Sequence, residues 1–418
     1  MKRFIQLCVF FSAFLTPIVA AAQGTWQKTY AGLSAATSVV PAFDEGYIIG
    51  GTLDNGNGVL IKITEEGKEV WRSEIAGQKG IFIRDVIPSA ADGSYYFAGT
   101  EGFTNYISNS PLFPMSNNWK LQVSGLVGKI NQAGKIDWVK KDLLVKGTAA
   151  TSPLHVRLTG NYLLVSGYTS DGKSKVNGFM QLYQRNDGTL VKEQKLDEHV
   201  QDIYARGDQI LALSILPQKG SYALQLTTLN EQLKKQEEKK SGSVVLSNFY
   251  SYPMHLLAFN NTKYACAFFH YFGASKIECG CFPVFANMEV NPKAHDLTPS
   301  VQCNGGCFFI GHSQDANSDF VLTGLSQSRR DDLYAGSRML WHKYTNDYKA
   351  GTTRSYSYAE INKADVAKYT HTIGYDIAPT RSGGSIMAGF ATNLKGESAG
   401  TFKERIGWVI KVNPDGTW

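Results

Sequence analysis

The fold is decided by a stretch from Asp44 to Trp71 that reads DEGYIIGGTLDNGNGVLIKITEEGKEVW. It begins with an acidic-glycine turn and continues with two apolar runs, Tyr47 to Gly51 and Val59 to Ile63. A second turn and a tryptophan-bearing run complete it. Short apolar runs bounded by glycine and acidic residues are typical of β-strands joined by tight turns. The stretch therefore predicts three consecutive strands.

The first part of this unit recurs along the chain. Each copy is a turn followed by an apolar run that usually ends in a small residue. The closing residues of these runs are Gly51, Gly99, Gly167, Ser214, Ala267, Gly324 and Gly389. Their count is seven, and their spacing of 47 to 68 residues slightly exceeds the roughly 40 to 50 of common propeller repeats. The surplus is expected to lie in loops.

A second series supports the first. The lysine-centred run around Lys62 recurs around Lys129, and each is followed by a glycine and, four residues later, by Trp71 or Trp138. A degenerate copy ends at Gly188 and lacks the tryptophan. With the strand before each acidic-glycine turn, every repeat offers four strands. Four-stranded sheets repeated radially are propeller blades. The sequence thus predicts an all-β, seven-bladed β-propeller.

The two ends of the chain are expected to complete one blade together. The seventh repeat stops at Trp418 without its fourth strand, whereas Trp26 to Tyr30 forms a tryptophan strand that has no repeat of its own. An N-terminal strand over residues 25–31 would close the last blade and remove an exposed sheet edge.

The glycine, lysine and tryptophan pattern resembles the quinoprotein-type and related tandem propeller repeats of secreted bacterial proteins. This resemblance covers most of the chain and implies a propeller of seven or eight blades. Quinone-dependent members carry a pair of adjacent cysteines and a metal site near the propeller axis. No Cys-Cys pair occurs in this sequence, so that chemistry is not carried over and no cofactor is expected.

The N-terminus predicts export. Lys2 and Arg3 precede an apolar run that ends in Ala20-Ala21-Ala22, so residues 1–22 are interpreted as a signal peptide and residues 23–418 as one propeller domain. A membrane anchor is the alternative, but the run is shorter than the ~20 apolar residues of a spanning helix. The mature charge of +4 (40 basic minus 36 acidic residues) is too small to indicate nucleic-acid binding. We expect a soluble periplasmic or extracellular protein.

Five cysteines of the mature chain fall within 42 residues, with His270 and His295 among them and His312 shortly after the last. An oxidising compartment favours disulfide bonds. A zinc or other soft-metal site is the alternative, although the Cys-x-x-Cys spacing of structural zinc sites is absent. The count is odd, and Cys266 is the best candidate for a buried free thiol. The disulfide candidates are Cys279, Cys281, Cys303 and Cys307; their pairing stays open.

Other polar residues have plain explanations. Lys62, Lys129 and Lys411 occupy one strand position in three repeats, and we interpret them as solvated or snorkelling residues of the outer blade surface rather than as a ligand-binding ring of cations. Aspartates beside glycine in hairpin turns are explained by turn chemistry. Isolated histidines define no catalytic triad. They are His155, His199, His255, His342 and His371.

Three segments exceed what a blade needs: residues 101–124, 344–369 and 391–406. The first two contain the residues we predict to contact a partner. These are Phe103, Tyr106, Phe113, Trp119, Tyr348, Tyr356 and Tyr358. Long loops on a rigid scaffold often carry function, and this composition suits a protein or a sugar.

Function remains the least determined property. The leading hypothesis is a non-enzymatic platform that binds a protein partner within a bacterial cell-envelope complex, with an outer-membrane protein as the candidate partner. The alternative is a propeller that binds or degrades polysaccharide in its central funnel. A quinone- or metal-dependent oxidoreductase is a third hypothesis. No catalytic sequence motif favours an enzyme.

Overall fold

A computed structural model describes the chain from residue 24 to 418 except for 79, 103–122, 174–175, 207, 219–220, 241–254, 260–262, 273–275, 286–294, 297–306, 316, 318, 328–335, 346–349 and 394–404. From 255 to 309 it describes only the backbone of the strands. The described residues form 28 strands and one helix, α1 (Tyr358–Asn362). The prediction of an all-β fold is confirmed.

After β1 (Trp26–Thr29), the strands form antiparallel four-stranded sheets, in which neighbours in the sheet are also neighbours in the chain. Group I contains β2 (Leu33–Pro41), β3 (Tyr47–Leu53), β4 (Gly58–Ile63) and β5 (Glu69–Ile75). Group II contains β6 (Ile81–Ser89), β7 (Ser94–Glu101), β8 (Ser124–Ile130) and β9 (Ile136–Leu143). Group III contains β10 (Ala150–Thr159), β11 (Tyr162–Ser170), β12 (Val176–Gln184) and β13 (Leu190–Leu196).

The remaining strands continue this order. Group IV contains β14 (His199–Arg206), β15 (Gln209–Gln218), β16 (Ser221–Asn230) and β17 (Lys235–Lys240). Group V contains β18 (His255–Phe259), β19 (Lys263–Phe272), β20 (Lys276–Phe285) and β21 (His295–Asp296). Group VI contains β22 (Cys307–Gln314), β23 (Phe320–Gln327), β24 (Ser337–Tyr344) and β25 (Ala350–Tyr356). Group VII contains β26 (His371–Pro379), β27 (Ser385–Thr392), β28 (Arg405–Val412) and β1.

Groups VI and VII belong to one mixed eight-stranded sheet. The connection between them is a parallel pairing of β24 with β26, in which Ser337 lies opposite His371. All other pairings within the two groups are antiparallel. The described strands therefore fall into seven four-strand groups, five as separate sheets and two within the mixed sheet.

The predicted role of the N-terminal strand is confirmed at the level of pairing. β1 pairs antiparallel with β28, with Trp26 opposite Lys411 and Lys28 opposite Val409. Trp408 Nε1 donates a hydrogen bond to Gln27 Oε1 at 2.7 Å. The first strand of the chain is thus the fourth strand of group VII.

Consecutive groups pack against each other mainly through apolar side chains. Leu60 of group I and Phe97 of group II belong to one buried cluster, and Ile49 of group I shares another with Val409 of group VII. The first strands of consecutive groups are in contact: β2 with β6, β6 with β10, β10 with β14, β14 with β18, β18 with β22, β22 with β26, and β26 with β2. Burial on both faces explains why strands such as β3 are apolar throughout.

The tryptophans of the outer strands connect each group to the next. Trp71 lies over Gly134 so closely that a Cβ at this glycine would overlap the indole ring, and Trp26 lies over Gly67 in the same way. Both glycines also have positive φ angles, 84° and 77°. The fourth strand of group III, β13, has no tryptophan. There Lys192 donates a hydrogen bond to the carbonyl oxygen of Gln232 in group IV.

The interpretation of the repeated lysines as solvated or snorkelling residues is wrong for Lys62 and Lys411. Lys62 and Lys411 are only 6% and 1% exposed. Lys62 forms an ion pair with Asp44 of its own repeat, whereas Lys411 binds Glu65 of group I, with Nζ 3.0 Å from Oε2. Each lysine lies on a third strand that is covered by neighbouring strands, so its charge needs a carboxylate nearby.

The Lys411–Glu65 ion pair gives a test of the contact between the last and first groups. E65Q keeps the shape of the side chain but leaves the Lys411 ammonium buried without a counter-charge, so we expect a loss of about 3–5 kcal/mol of unfolding free energy. Urea denaturation measures it. The matched control is E66Q, which changes an exposed carboxylate in the same turn and should have little effect. Equal midpoints for the two variants would contradict this account.

Candidate functional site: a charged cavity among the first strands

A β-bulge recurs at the same place in six of the seven described first strands, all except β18. The residues that directly follow these bulges are Ser38, Asp85, His155, Asp202, Gly311 and Asp376. A bulge redirects a side chain and bends the strand. The closing small residue of each repeat lies opposite the residue just before the bulge, as Gly99 does opposite Ile83. A Cβ at Gly99 would overlap the carbonyl oxygen of Phe82, which explains why this residue is small.

The polar side chain after the bulge binds the backbone of the next first strand. Asp85 Oδ2 accepts a hydrogen bond from Val156 N at 2.8 Å, and Asp376 Oδ2 accepts one from Val39 N at 2.8 Å. Ser38 Oγ accepts from Val86 N at 3.2 Å. In each case the donor belongs to the next first strand, where it directly follows the residue that comes after the bulge. The repeated polar residue therefore links consecutive groups, including group VII to group I.

These first strands surround a cavity of about 260 Å³, which we call the first-strand cavity. Residues from β2, β6, β10, β22 and β26 line it, together with Tyr168 of β11. The ionisable and aromatic lining residues are Arg84, Asp85, His155, Arg157, Tyr168, His312, Tyr375 and Asp376. So many charged groups at the inner strands make this cavity the candidate functional site.

Arg157 is the central cation of this cavity. Its Nη1 lies 2.6 Å from Asp85 Oδ2, its Nη2 lies 3.5 Å from Asp202 Oδ1, and its Nε donates to the carbonyl oxygen of Ile203 at 3.1 Å. Asp202 is fully buried. One guanidinium therefore connects groups II, III and IV.

Two histidines also approach Asp202 from different strands. His155 Nδ1 on β10 lies 3.6 Å from Asp202 Oδ1, and His312 Nε2 on β22 lies 3.8 Å from Asp202 Oδ2. The structure thus brings His155 and His312, which lie far apart in the sequence, to the same carboxyl group. Whichever strand they come from, both face a carboxylate of β14.

Burial changes the protonation of these groups. It raises the pKa of Asp376 to about 7, with repulsion from Asp85 adding to the effect and hydrogen bonds from Val39 and Ile377 opposing it. Burial lowers the pKa of His312 to about 4, although Asp202 acts in the opposite direction. For Arg157, burial alone would lower the pKa, but the Asp85 and Asp202 carboxylates outweigh it and the pKa is raised.

The residues predicted to contact a partner have different outcomes. Phe103, Tyr106, Phe113, Trp119 and Tyr348 lie outside the described residues, as does the predicted signal peptide, 1–22. The described part of segment 344–369 is not a loop, because it contains all of β25 and all of α1. Its tyrosines Tyr356 and Tyr358 are only 4% and 8% exposed and belong to the core between groups VI and VII.

The cysteine predictions are not tested. Cys303 lies outside the described residues, and only the backbone is described at Cys279, Cys281 and Cys307. In the register of group V, Cys266 lies opposite Phe282, and Cys281 lies opposite Ala267 and His295. Disulfide bonding of Cys279, Cys281, Cys303 and Cys307 stays a prediction.

Sequence reasoning missed the first-strand cavity, although a signal for it was present. In five first strands a polar residue is followed by valine or isoleucine three or four residues before the strand ends. These pairs are Ser38-Val39, Asp85-Val86, His155-Val156, Asp202-Ile203 and Asp376-Ile377. The polar member occupies the position after the bulge. In three of the pairs, the backbone N–H of the valine donates a hydrogen bond to the polar side chain of the preceding group.

Comparison with known proteins adds no family assignment. A scan against protein-family models finds no match, and a search of curated proteins finds none either. In the part of the chain that the structure describes, no helix is long and apolar enough to cross a membrane. Function is therefore argued from the geometry of this chain.

The raised pKa of Asp376 predicts a pH-dependent stability. The unfolded carboxyl group has a pKa near 4, whereas the folded one has a pKa of about 7. Folding thus favours the protonated form, and its contribution to stability is complete below about pH 4 and is lost as the pH rises through about 7. We expect D376N, which keeps an acceptor oxygen but carries no charge, to lack this loss. Urea unfolding of both proteins across this range measures the difference.

Other titratable residues contribute equally to the pH profiles of wild type and D376N, so their contributions cancel when the two profiles are compared. The control is D187N, which alters a carboxylate in an exposed hairpin turn and should show the wild-type pH profile. Parallel profiles for wild type and D376N would show that Asp376 does not titrate in this range.

Proposed function

We propose that the seven groups are the blades of a seven-bladed β-propeller formed by residues 23–418, with β1 completing the last blade. The succession of contacts between first strands supports this arrangement, because β26 contacts β2 as each other first strand contacts the next. The shared cluster of Ile49 and Val409 supports it as well. The first-strand cavity would then lie on the propeller axis.

We further propose that the protein is exported and acts as a non-enzymatic platform that binds a protein partner, as a subunit of a bacterial cell-envelope complex at the outer membrane. The observation that carries this proposal is the engagement of the carboxylates in and beside the first-strand cavity. Asp85 and Asp376 accept backbone hydrogen bonds from the next group, and Asp202 accepts one from Ile203 at 2.8 Å. Groups that already hold strands together are poorly placed for acid–base chemistry, which favours a scaffold.

The strand order supports a partner surface at one end of the groups. Strands of a group alternate in direction, so connections from second to third strands and from fourth to next first strands start at the same end. The segments 103–122, 241–254, 297–306, 328–335 and 394–404 all belong to these two types. The aromatic residues Phe103, Tyr106, Phe113 and Trp119 fall in the first of them. Tyr348 belongs to a connection of the opposite type.

A partner capture experiment tests this function. Tagged protein is purified from envelope extracts of its native host, and bound proteins are identified by mass spectrometry. We expect one partner with wild type and about a tenfold lower yield with F103A/F113A/W119A, because aromatic anchors dominate most protein interfaces. The control L190S/V191S changes two exposed apolar residues of β13 and should retain the partner.

Two results would count against this proposal. One is a wild-type protein that purifies alone under mild extraction. The other is an equal partner yield for wild type, the aromatic variant and the β13 control.

The second candidate is a propeller that binds or degrades polysaccharide in the first-strand cavity. The specific observation in its favour is that Asp85 and Asp376 line the cavity together with Tyr168 and Tyr375. Carboxylates accept hydrogen bonds from sugar hydroxyls, and tyrosines offer flat apolar faces.

A glycan array followed by calorimetry tests this candidate. Binding in the cavity should be weakened about tenfold or more in Y168A, which removes an aromatic face, and retained in the surface variant D187N. Absence of glycan binding by the wild-type protein would contradict it, as would equal affinity of Y168A.

A further inference from the structure

A separate pocket of about 690 Å³ lies where the connection from group I to group II meets the ends of β7, β8 and β9. We call it the junction pocket. It shares no lining residue with the first-strand cavity. Its polar and charged lining residues are Gln78, Glu101, Ser124, Lys141 and Asp142. Ligand pockets commonly have volumes of roughly 300–1,000 Å³, so this space can hold a side chain together with part of its neighbours.

The junction pocket lies at the end of the groups that we propose for partner binding. Glu101 is the last residue of β7, and Ser124 is the first residue of β8. The connection between these two strands contains the segment 103–122, which carries four of the predicted aromatic contacts. Because the strands on both sides of this segment line the pocket, a partner held by the segment has the pocket within reach.

Glu101 is buried at the wall of this pocket without a counter-charge. It is only 7% exposed, and its Oε1 accepts a hydrogen bond from Gln78 N at 2.7 Å. No ion pair reaches its carboxylate from any residue that the structure describes. Other residues that are at least as buried, Lys62, Glu65 and Lys411, all have an ion-pair partner. Burying a carboxylate without a partner is costly, so Glu101 is a strong acceptor for a cation from outside the chain.

The other charges of the pocket leave this demand unmet. Asp142, near the end of β9, adds a second carboxylate, whose Oδ1 accepts a hydrogen bond from Ser124 Oγ at 3.5 Å. Lys141 is the cation among the lining residues that the structure describes, and its ammonium group donates to the carbonyl oxygen of Ala76. Two carboxylates and one ammonium group give the pocket a net charge of −1, which attracts cations.

Apolar side chains beside these charges indicate the shape of the cation. Val123, Leu144 and Ala149 also line the pocket, and Leu144 is 49% exposed. Arginine and lysine carry their charge at the end of a long apolar stem, which can cover such a surface while the charged group reaches a carboxylate. A small inorganic cation would leave the apolar part of the wall uncovered.

We propose that the junction pocket binds a basic side chain, arginine or lysine, of the protein partner, an inference that rests on the proposed partner-binding function. The cationic group lies at the Glu101 and Asp142 carboxylates, and the stem lies against Leu144. The aromatic residues of segment 103–122 and this pocket then recognise one partner together. A charge-assisted bond to a buried carboxylate supplies specificity, because a partner without the basic residue leaves the carboxylate uncompensated.

Peptide binding by the full-length mature protein tests this inference. The probe is the capped tripeptide acetyl-leucyl-arginyl-leucinamide, and its citrulline analogue has nearly the same shape but no charge. Calorimetry should give a Kd of about 1 mM or lower for the arginine peptide and about tenfold weaker binding of the citrulline peptide. We expect about tenfold weaker binding of the arginine peptide by E101Q. The control D187N changes an exposed carboxylate at the opposite end of group III and should bind as wild type does.

The stability of E101Q gives a second readout. This variant keeps an acceptor for Gln78 N and removes a buried charge that has no partner, so we expect an unchanged or higher midpoint in urea. The direction is opposite to the loss expected for E65Q, which breaks a buried ion pair. A midpoint of E101Q lowered as far as that of E65Q would show that Glu101 already has a cation of this chain beside it, and would overturn the proposal.

Further outcomes separate the pocket from the function on which it rests. No detectable binding of the arginine peptide, equal binding of the citrulline peptide, or equal affinity of E101Q and wild type would overturn the assignment of a basic side chain. Butylguanidinium bound as tightly as the tripeptide would show a site for small cations and would overturn it too. If wild type and E101Q capture equal amounts of one partner from envelope extracts, the pocket assignment alone fails. If the arginine peptide binds through Glu101 but no partner is captured, the proposed function alone fails.

Discussion

The hydrogen bond from a backbone N–H of one first strand to a polar side chain of the preceding first strand organises the inner part of this protein. Asp85 with Val156, Ser38 with Val86, and Asp376 with Val39 are its three described instances. Each needs a bulge to redirect the side chain. Each bulge in turn needs a small residue on the second strand, because a carbonyl oxygen of the first strand approaches it.

The junction between the last and first groups uses the same bond and adds an ion pair. In groups I and II the third-strand lysine binds an aspartate of its own repeat, Asp44 or Asp92. The corresponding turn of group VII, residues 380–384, contains no acidic residue, and Lys411 takes its carboxylate from Glu65 of group I instead. The chain runs directly from β1 of group VII to β2 of group I, so the non-covalent closure lies within group VII, where β28 pairs with β1. The Lys411–Glu65 ion pair connects β28 to group I across this closure. A buried ion pair in this place makes the contact specific as well as stable.

Local signals in the sequence were enough to predict the strands, their grouping in fours and the pairing of β1 with β28. Turn glycines with positive φ and the repeated tryptophan spacing depend on neighbouring residues only, so they can be read without a structure. The bulges could not be read in the same way, because a bulge is a property of two paired strands. The burial of Lys62 and Lys411 and the core positions of Tyr356 and Tyr358 depend on packing between residues distant in the chain, which composition does not reveal.

The hydrogen bonds and ion pairs between first strands also restrict which residues of this chain can take on a function. Removing a buried ion-pair partner costs about 3–5 kcal/mol, and a typical domain has only about 5–15 kcal/mol of stability. Residues such as Asp85 and Arg157 therefore cannot be exchanged freely to suit a new ligand. The turns between third and fourth strands share this constraint, since Glu65 and Gln132 bind the neighbouring group there. Any ligand of the first-strand cavity must therefore use the polar side chains that these bonds already place around it.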